Sequence, residues 1–328
     1  QSSVGVLAAC LMRDGSAGRL AYTASMKVQI EQLAAHIVYA LLWSVGRLPL
    51  RLQHRLGRWL GDAMRLLRGR EWRVALRNLA LCVPELNAAQ RDVLARETLR
   101  ETGCLLFETC RFWSHPLQDG LALIREVENA ALLDQALARG KGVIVAAPHL
   151  GNWELLSQYL ASRAPISVVY RAPRQAFMER VIKRGRNHPG VAQVRAEAAG
   201  VRSLFRTLLA GGMLGILPDQ QPKQGDGEFA PFFGIPALTM SLLTRLLQRS
   251  EATVVFAWAQ RLPHAQGFKI VFLPADPGLR EADSAEAIAA LNRGVEACVR
   301  RAMTQYQWGY KRFSISPPGE PHRYHGHL

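Results

Sequence analysis

With 328 residues the chain is long enough for one large α/β domain or two small ones, and 49% hydrophobic content supplies a core. Its 41 basic and 26 acidic residues leave a net charge of +15, which implies an anionic partner: nucleic acid, a membrane surface or an acidic protein. Most basic residues are arginines interleaved with Leu and Trp, and no finger, basic zipper or ribonucleoprotein signature occurs, which disfavours nucleic acid and favours a membrane. Five scattered cysteines (Cys10, Cys82, Cys104, Cys110, Cys298), never in C-x-x-C spacing, suggest neither a zinc site nor a disulfide framework, and fit a reducing compartment. Leu7-Ala-Ala-Cys10 resembles a lipoprotein box but lacks the basic and apolar segments that should precede it.

In chain order, Leu33 to Val45 is an apolar helix that falls short of the roughly 20 residues needed to span a bilayer. Extension back to Val28 leaves spanning and in-plane anchoring both open, with a soluble core-covering helix as the alternative. Arg47 to Arg77 carries nine arginines against Asp62 and Glu71 only, with leucines and Trp59 at helical spacing, and reads as one amphipathic helix whose cationic face lies on anionic lipid. Periodicity predicts helices over Gln90–Trp113, Glu128–Arg139, Arg174–Arg186 and Arg202–Ala210, with a last one from Asp283 to Met303. Strands are expected at Val143–Ala147, Pro165–Tyr170, Met213–Leu217, Thr253–Ala259 and Phe268–Leu273, the last two as a hairpin at the sheet edge. The alternation defines a mixed α/β fold with a largely parallel sheet flanked by helices.

The central stretch is Gly142-Val-Ile-Val-Ala-Ala-Pro-His149-Leu-Gly-Asn-Trp-Glu154. Its apolar run lacks alternation, as a strand covered on both faces does, and Pro148 stops the ladder, so His149 stands at the strand's carboxyl end. A turn at Gly151-Asn152, with Asn152 capping a helix from Trp153, would let Glu154 fold back and hold the His149 imidazole in one tautomer. Without the turn, residues five apart would point about 140° apart on a helix. Arg171 ends the second strand and Arg186 the next helix, both suited to phosphate or an oxyanion. Asp219, released by the third strand, can orient a histidine or an arginine, and Phe229, Phe232 and Phe233 sit in a proline-rich loop suited to lining an acyl groove. No G-x-S-x-G, Walker A loop or dinucleotide fingerprint is present.

The H-x4-E motif after a strand, Arg77-Asn-Leu-Ala-Leu-Cys-Val-Pro-Glu85, Leu217-Pro-Asp219, Phe229-Ala-Pro-Phe-Phe-Gly-Ile-Pro-Ala-Leu-Thr239 and Gln305-Tyr-Gln-Trp-Gly-Tyr-Lys-Arg-Phe313 together resemble the late acyltransferases of lipid A biosynthesis, the lauroyl/myristoyl transferase type of the lysophospholipid acyltransferase superfamily. The resemblance runs from about Met26 to Pro317; the broader glycerolipid acyltransferases carry H-x4-D where this chain has Glu154. It implies a glycerolipid acyltransferase-like fold and transfer of a fatty acyl group from an acyl-carrier-protein thioester, or acyl-CoA, to a hydroxyl of an acyl chain on a lipid A precursor. It also implies His149 as general base, Glu154 as its orienting partner, and functional roles for Arg171, Arg186 and Asp219. No metal or redox cofactor is expected; the partners are an anionic membrane surface, acyl carrier protein and a glycolipid acceptor, at the cytoplasmic side of the bacterial inner membrane. The organisation expected is a non-family extension over 1–25, an anchoring helix over 26–46, an acyltransferase domain over 47–317 and a flexible tail over 318–328. Two other functions remain open: an acyltransferase of the same fold with another lipid or glycolipid acceptor, and a non-catalytic basic peripheral membrane protein.

Overall fold

The computed structural model describes Met26, residues 29–173 and residues 175–326. The expected extension over 1–25 (Cys10 included), Val28 as the start of the anchor, Arg174 as the start of a helix, and His327 lie outside the described residues. Helix α1 (Gln29–Gly46) turns by 114° into α2 (Leu50–Leu66). Among the described residues no single helix is long and apolar enough to cross a membrane; α1 and α2 pass that test only as a bent pair. The stretch read as one amphipathic helix is two, because Leu67-Arg68-Gly69 breaks it, with Arg68 at φ 46°, and α3 (Arg70–Cys82) follows. Its charge is also less bare than its local sequence implies. Arg58 pairs with Glu97 at 3.0 Å and Arg65 with Asp92 at 2.9 Å, both on α4 (Ala88–Ser114), while Asp62 takes Arg96 and Arg100 of that helix.

Glycines set how close α2 comes to α4: a Cβ on Gly103 would fall 2.0 Å from the Gly57 carbonyl oxygen, and one on Gly61 2.4 Å from the Arg100 nitrogen. Packing that face inward leaves Leu52, Trp59, Leu60 and Leu66 of α2 outward, beside Arg51 and Arg55. On α1, Ile30, Leu33, Ile37 and Leu41 form a second outward stripe at helical spacing, each more than half exposed.

After α5 (Leu117–Leu121) comes the α/β body: β1 (Ile124–Glu128), α6 (Ala130–Ala138), β2 (Val143–Ala146), α7 (Trp153–Arg163), β3 (Ile166–Tyr170), α8 (Ala176–Gly185), β4 (Val191–Arg195), α9 (Ala198–Leu209) and β5 (Met213–Ile216). A hairpin of β6 (Gly227–Phe232) and β7 (Ile235–Met240), then α10 (Leu242–Gln248), β8 (Thr253–Arg261), β9 (Phe268–Pro274) and α11 (Ser284–Arg301), complete it. Seven strands form one sheet in the order β1-β9-β8-β2-β5-β3-β4, parallel throughout except between β8 and β9. The mixed, largely parallel sheet expected from the sequence is thus present. β2 is buried along its whole length, as a central strand without alternation must be.

Three expectations need correction. The β8–β9 pair is not an edge, because β1 pairs with β9; β1 and β4 are the edges, and their mixed sequences (Ile-Arg-Glu-Val-Glu and Val-Ala-Gln-Val-Arg) hide them. Glu128 accordingly ends a strand, not begins a helix. The segment read as a rigid loop around Phe229 is an antiparallel hairpin turning at Phe233-Gly234, both at positive φ. The chain end is not free through Tyr324: this ring is buried, its hydroxyl donates to Asn78 at 2.7 Å, and Arg77 donates to the Arg323 carbonyl at 2.8 Å.

Candidate active site

His149 follows β2 and Asp219 follows β5. Because β2 and β5 are parallel neighbours in register from Val143/Met213 to Ala146/Ile216, the residues just beyond their ends meet. His149 Nδ1 lies 2.8 Å from Asp219 Oδ1, and the His149 backbone N–H donates to Oδ2 at 2.9 Å. A carboxylate held by the backbone N–H and facing Nδ1 fixes the tautomer with Nδ1 protonated, leaving Nε2 as the acceptor nitrogen. Asp219 is fully buried; burial pushes its pKa up, but the charge and hydrogen bonds of His149 outweigh it and hold the carboxyl below its usual range.

The loop carrying His149 is braced on every side. Gln307 N–H donates to the His149 carbonyl at 3.1 Å, Gly151 N–H to the Gln305 carbonyl at 3.1 Å, and Asn152 N–H to the Ala259 carbonyl at 2.8 Å. Gly151 sits at φ 61°, where a Cβ would meet the Ala259 carbonyl oxygen at 2.1 Å, so only glycine fits. The Asn152 side chain caps α7 by accepting from Leu155 N–H at 2.9 Å, as the sequence implies, and donates to Glu108 Oε2 at 2.8 Å. Glu108 is buried between Arg261, which also contacts Glu101, and His54, at 2.6 Å. Burial would raise the Glu108 pKa, but Arg261 and His54 hold it down to about 2.

The structure corrects the role expected of Glu154. It does lie in the first turn of α7, but its carboxylate is bound by Arg186, whose Nε lies 3.0 Å and 3.1 Å from its two oxygens, and the imidazole pairs with Asp219 instead. Trp113 Nε1–H donates to Glu154 at 2.9 Å and Trp153 Nε1–H at 3.1 Å. Burial pushes the Glu154 pKa up, and the Arg186 charge with these hydrogen bonds more than reverses it. Its contact with His149 is indirect: the Trp153 ring lies edge-on to the imidazole, 5.0 Å between centroids. Because Nε and Nη2 of Arg186 both serve Glu154, Nη1 is left over on a side chain that lines the cavity. Arg184, across Gly185, instead stacks on Tyr39 of α1 at 3.9 Å.

His149, Glu154, Arg171 and Arg186 all line one cavity of about 1820 Å³ at the carboxyl edge of the sheet. The expected aromatic groove does not form there. Phe232 and Phe233 are buried in the core, where Phe232 packs on Phe233, Tyr306 and Phe313, and Phe229 is half-buried on β6; none of the three lines this cavity. Apolar lining comes instead from Leu156, Leu160, Ile166, Val168 and Ile182. Trp113, Trp153, Gln307 and Glu108 are the supporting residues not singled out from the sequence. Only the Trp preceding Glu154 carried a signal for one of them. The four described cysteines are buried without disulfides, and burial drives the Cys104 and Cys110 thiols up to about 12 and about 11, which disfavours a thiolate nucleophile. No group of three or more His, Cys, Asp or Glu arranged to hold a metal ion occurs among the described residues.

A carboxylate–imidazole pair at the carboxyl edge of an open α/β sheet, beside an apolar cavity with arginines at its rim, defines an enzyme-like site for an apolar, charged substrate. The chain belongs to the bacterial lipid A biosynthesis acyltransferase family, whose model matches residues 23–314. It is an acyltransferase. Similar proteins include the lipid A biosynthesis palmitoleoyltransferase of Escherichia coli K12, 28% identical over 285 residues (87% of this chain, 92% of the relative). The lauroyltransferase of the same strain is 28% identical over 289 residues (87% and 92%), and its myristoyltransferase 24% identical over 270 residues (81% and 81%).

Proposed function

We propose that the protein moves a fatty acyl group from a thioester on acyl carrier protein to a hydroxyl of an acyl chain on a lipid A precursor, with His149 as general base. The acceptor hydroxyl attacks the thioester carbonyl carbon as Nε2 takes its proton; the C–O bond forms and the carbonyl electrons move onto oxygen. Collapse of that oxyanion breaks the C–S bond, and the departing thiolate takes the proton back from the imidazolium. Asp219 receives the Nδ1–H throughout and stabilises the imidazolium, a contribution that positioned acid–base groups make at about 10²–10⁴-fold. Arg186 Nη1, and Arg171 at the end of β3, are the groups to meet the oxyanion or a glycolipid phosphate. Glu154 positions Arg186 and Trp153. Direct transfer through a ternary complex fits the buried state of the four described cysteines, and the reading needs no resident cofactor.

The outward apolar faces of α1 and α2, with Arg51 and Arg55 beside them, support seating on an anionic membrane surface. The single observation that carries the chemical reading is the cavity-lining His149 backed by the buried Asp219. The test is incubation of the purified protein with acyl carrier protein thioester and lipid A precursor in anionic vesicles, read by mass spectrometry. A product heavier by one acyl group, lost in His149→Ala, is the expected result; acylation that persists in His149→Ala contradicts it.

A further inference from the structure

The cavity has two differently built sides that meet at His149. Chain order against sheet order explains why. The β3–α8–β4 crossover runs outward to the edge and β4–α9–β5 runs back toward the centre, so right-handed connections place α8 and α9 on opposite faces of the sheet. The packing agrees: Leu155, Leu156 and Leu160 of α7 pack with Val168 on one face, whereas Leu204 and Leu208 of α9 and Leu246 of α10 pack with Val169 on the other. On the α7–α8 side Leu156, Leu160, Val168 and Ile182 line the cavity, and the arginine there, Arg186, is paired with Glu154. The α9–α10 side carries Arg202 and Arg206 on one helix and Arg245 and Arg249 on the other, each pair four residues apart, and all four line the cavity.

Among the described residues no carboxylate lies within 4.0 Å of any of these four guanidinium groups, whereas Arg58 and Arg65 of α2 and Arg96 and Arg100 of α4 are all paired. All four are exposed. Four like charges gathered at the mouth of a substrate cavity repel one another and raise the local potential for an anion. Their place decides which anion. Helix α1, with its outward apolar stripe, is tied to the α7–α8 side: Tyr39 donates to the Trp113 carbonyl at 3.0 Å and lies under Arg184 of α8, and Glu31 lies 3.8 Å from Arg180. The arginine ridge lies across the sheet from that helix, on the side better placed for a partner arriving from water.

We propose that Arg202, Arg206, Arg245 and Arg249 form a docking ridge for an acidic protein that delivers the acyl thioester, so that donor and membrane-held acceptor reach His149 from opposite faces of the sheet. The proposal rests on the acyl-transfer reading above and adds the surface that the donor uses. Electrostatic pairing of this kind acts mainly on encounter and fades with salt.

The test uses the full chain with two charge-reversed variants, Arg202→Glu with Arg206→Glu, and Arg245→Glu with Arg249→Glu, each checked for an unchanged melting temperature. Donors are acyl carrier protein thioester and the uncharged acyl-pantetheine, with lipid A precursor in vesicles. Expected at low salt is a fall of about tenfold or more in kcat/KM for the carrier-borne donor, shrinking at high salt, and a much smaller fall for acyl-pantetheine. Binding of labelled acyl carrier protein, followed by fluorescence anisotropy, should weaken in parallel. Equal losses with both donors overturn the proposal, as does a selective rise in KM for the glycolipid, which would assign the ridge to acceptor phosphates. Loss of vesicle binding in the variants would assign it to the membrane and overturn it as well. Should the unaltered protein turn over neither thioester, the acyl-transfer reading fails, while the anisotropy measurement still decides whether the ridge binds the acidic carrier.

Discussion

Two buried carboxylates border His149, and their settings are opposite. Glu154 is five residues away in sequence, yet it is committed to a guanidinium and two indoles. Asp219 is 70 residues away, yet it takes both the imidazole and the backbone N–H of His149. The difference lies in what carries each residue. A helix leaving the loop carries Glu154 off toward α8, while adjacent parallel strands deliver Asp219 and His149 to one point. Sheet adjacency, not sequence spacing, chooses the partner of the base. The H-x4-E pattern then describes two linked units, a His149–Asp219 pair and a Glu154–Arg186 wall, joined by the edge-on Trp153 ring.

The comparison can be broken by substitution. His149→Ala should have the largest effect on turnover, a loss of about 10⁴-fold in kcat, because it removes the group that takes and returns the proton. Retained turnover would remove His149 from the chemistry. Asp219→Asn should follow at about 10²–10³-fold, since an amide N–H cannot accept from Nδ1–H and favours the other tautomer; a loss below about threefold would show that the pair is only structural. Glu154→Gln should reverse the balance between function and stability. It leaves the half-buried Arg186 without its counter-charge, so unfolding free energy should drop by about 3 kcal/mol, less whatever solvent recovers, while activity falls less than in Asp219→Asn. Chemical denaturation alongside steady-state kinetics would decide the order.

The smallest effect on activity concerns Glu108, a third buried carboxylate that resembles Glu154 in being held by an arginine. Its pKa is about 2 in the folded protein against an ordinary 4.5, so its stabilising contribution is complete above about pH 4.5 and is lost as pH falls from there toward 2. Glu108→Gln should be less stable at neutral pH and should lose stability less steeply over that window. An unchanged acid-denaturation curve would mean that Glu108 is not ionised in the folded protein.

Much of this is legible in the sequence. The central strands announced themselves as short apolar runs without alternation, Pro148 marked where β2 ends, and Asn152 signalled the start of α7. The edges were not legible: Ile124–Glu128 and Val191–Arg195 face water on one side and carry charges that mimic a helix surface or a loop. Pro231 and Pro236 in the β6–β7 stretch argue against strands, although a two-stranded hairpin asks for few N–H donors from them. The hairpin then folds Phe232 and Phe233 into the core. Charge was misjudged for a related reason, because Arg58 and Arg65 find their partners on α4 and nothing in their own helix reveals it. Without the strand order the sequence leaves Asp219 able to orient a histidine or an arginine, and the β2–β5 adjacency selects His149.

The central claim, that Asp219 rather than Glu154 sets the state of the catalytic imidazole, can be read directly from nitrogen-15 NMR of the ring in protein labelled at histidine, with His149 assigned by its loss in His149→Ala. At a pH where the ring is neutral, the account predicts the Nδ1–H tautomer in the unaltered protein, its retention in Glu154→Gln, and a shift toward the Nε2–H tautomer in Asp219→Asn. A tautomer that changes in Glu154→Gln and survives in Asp219→Asn would contradict it.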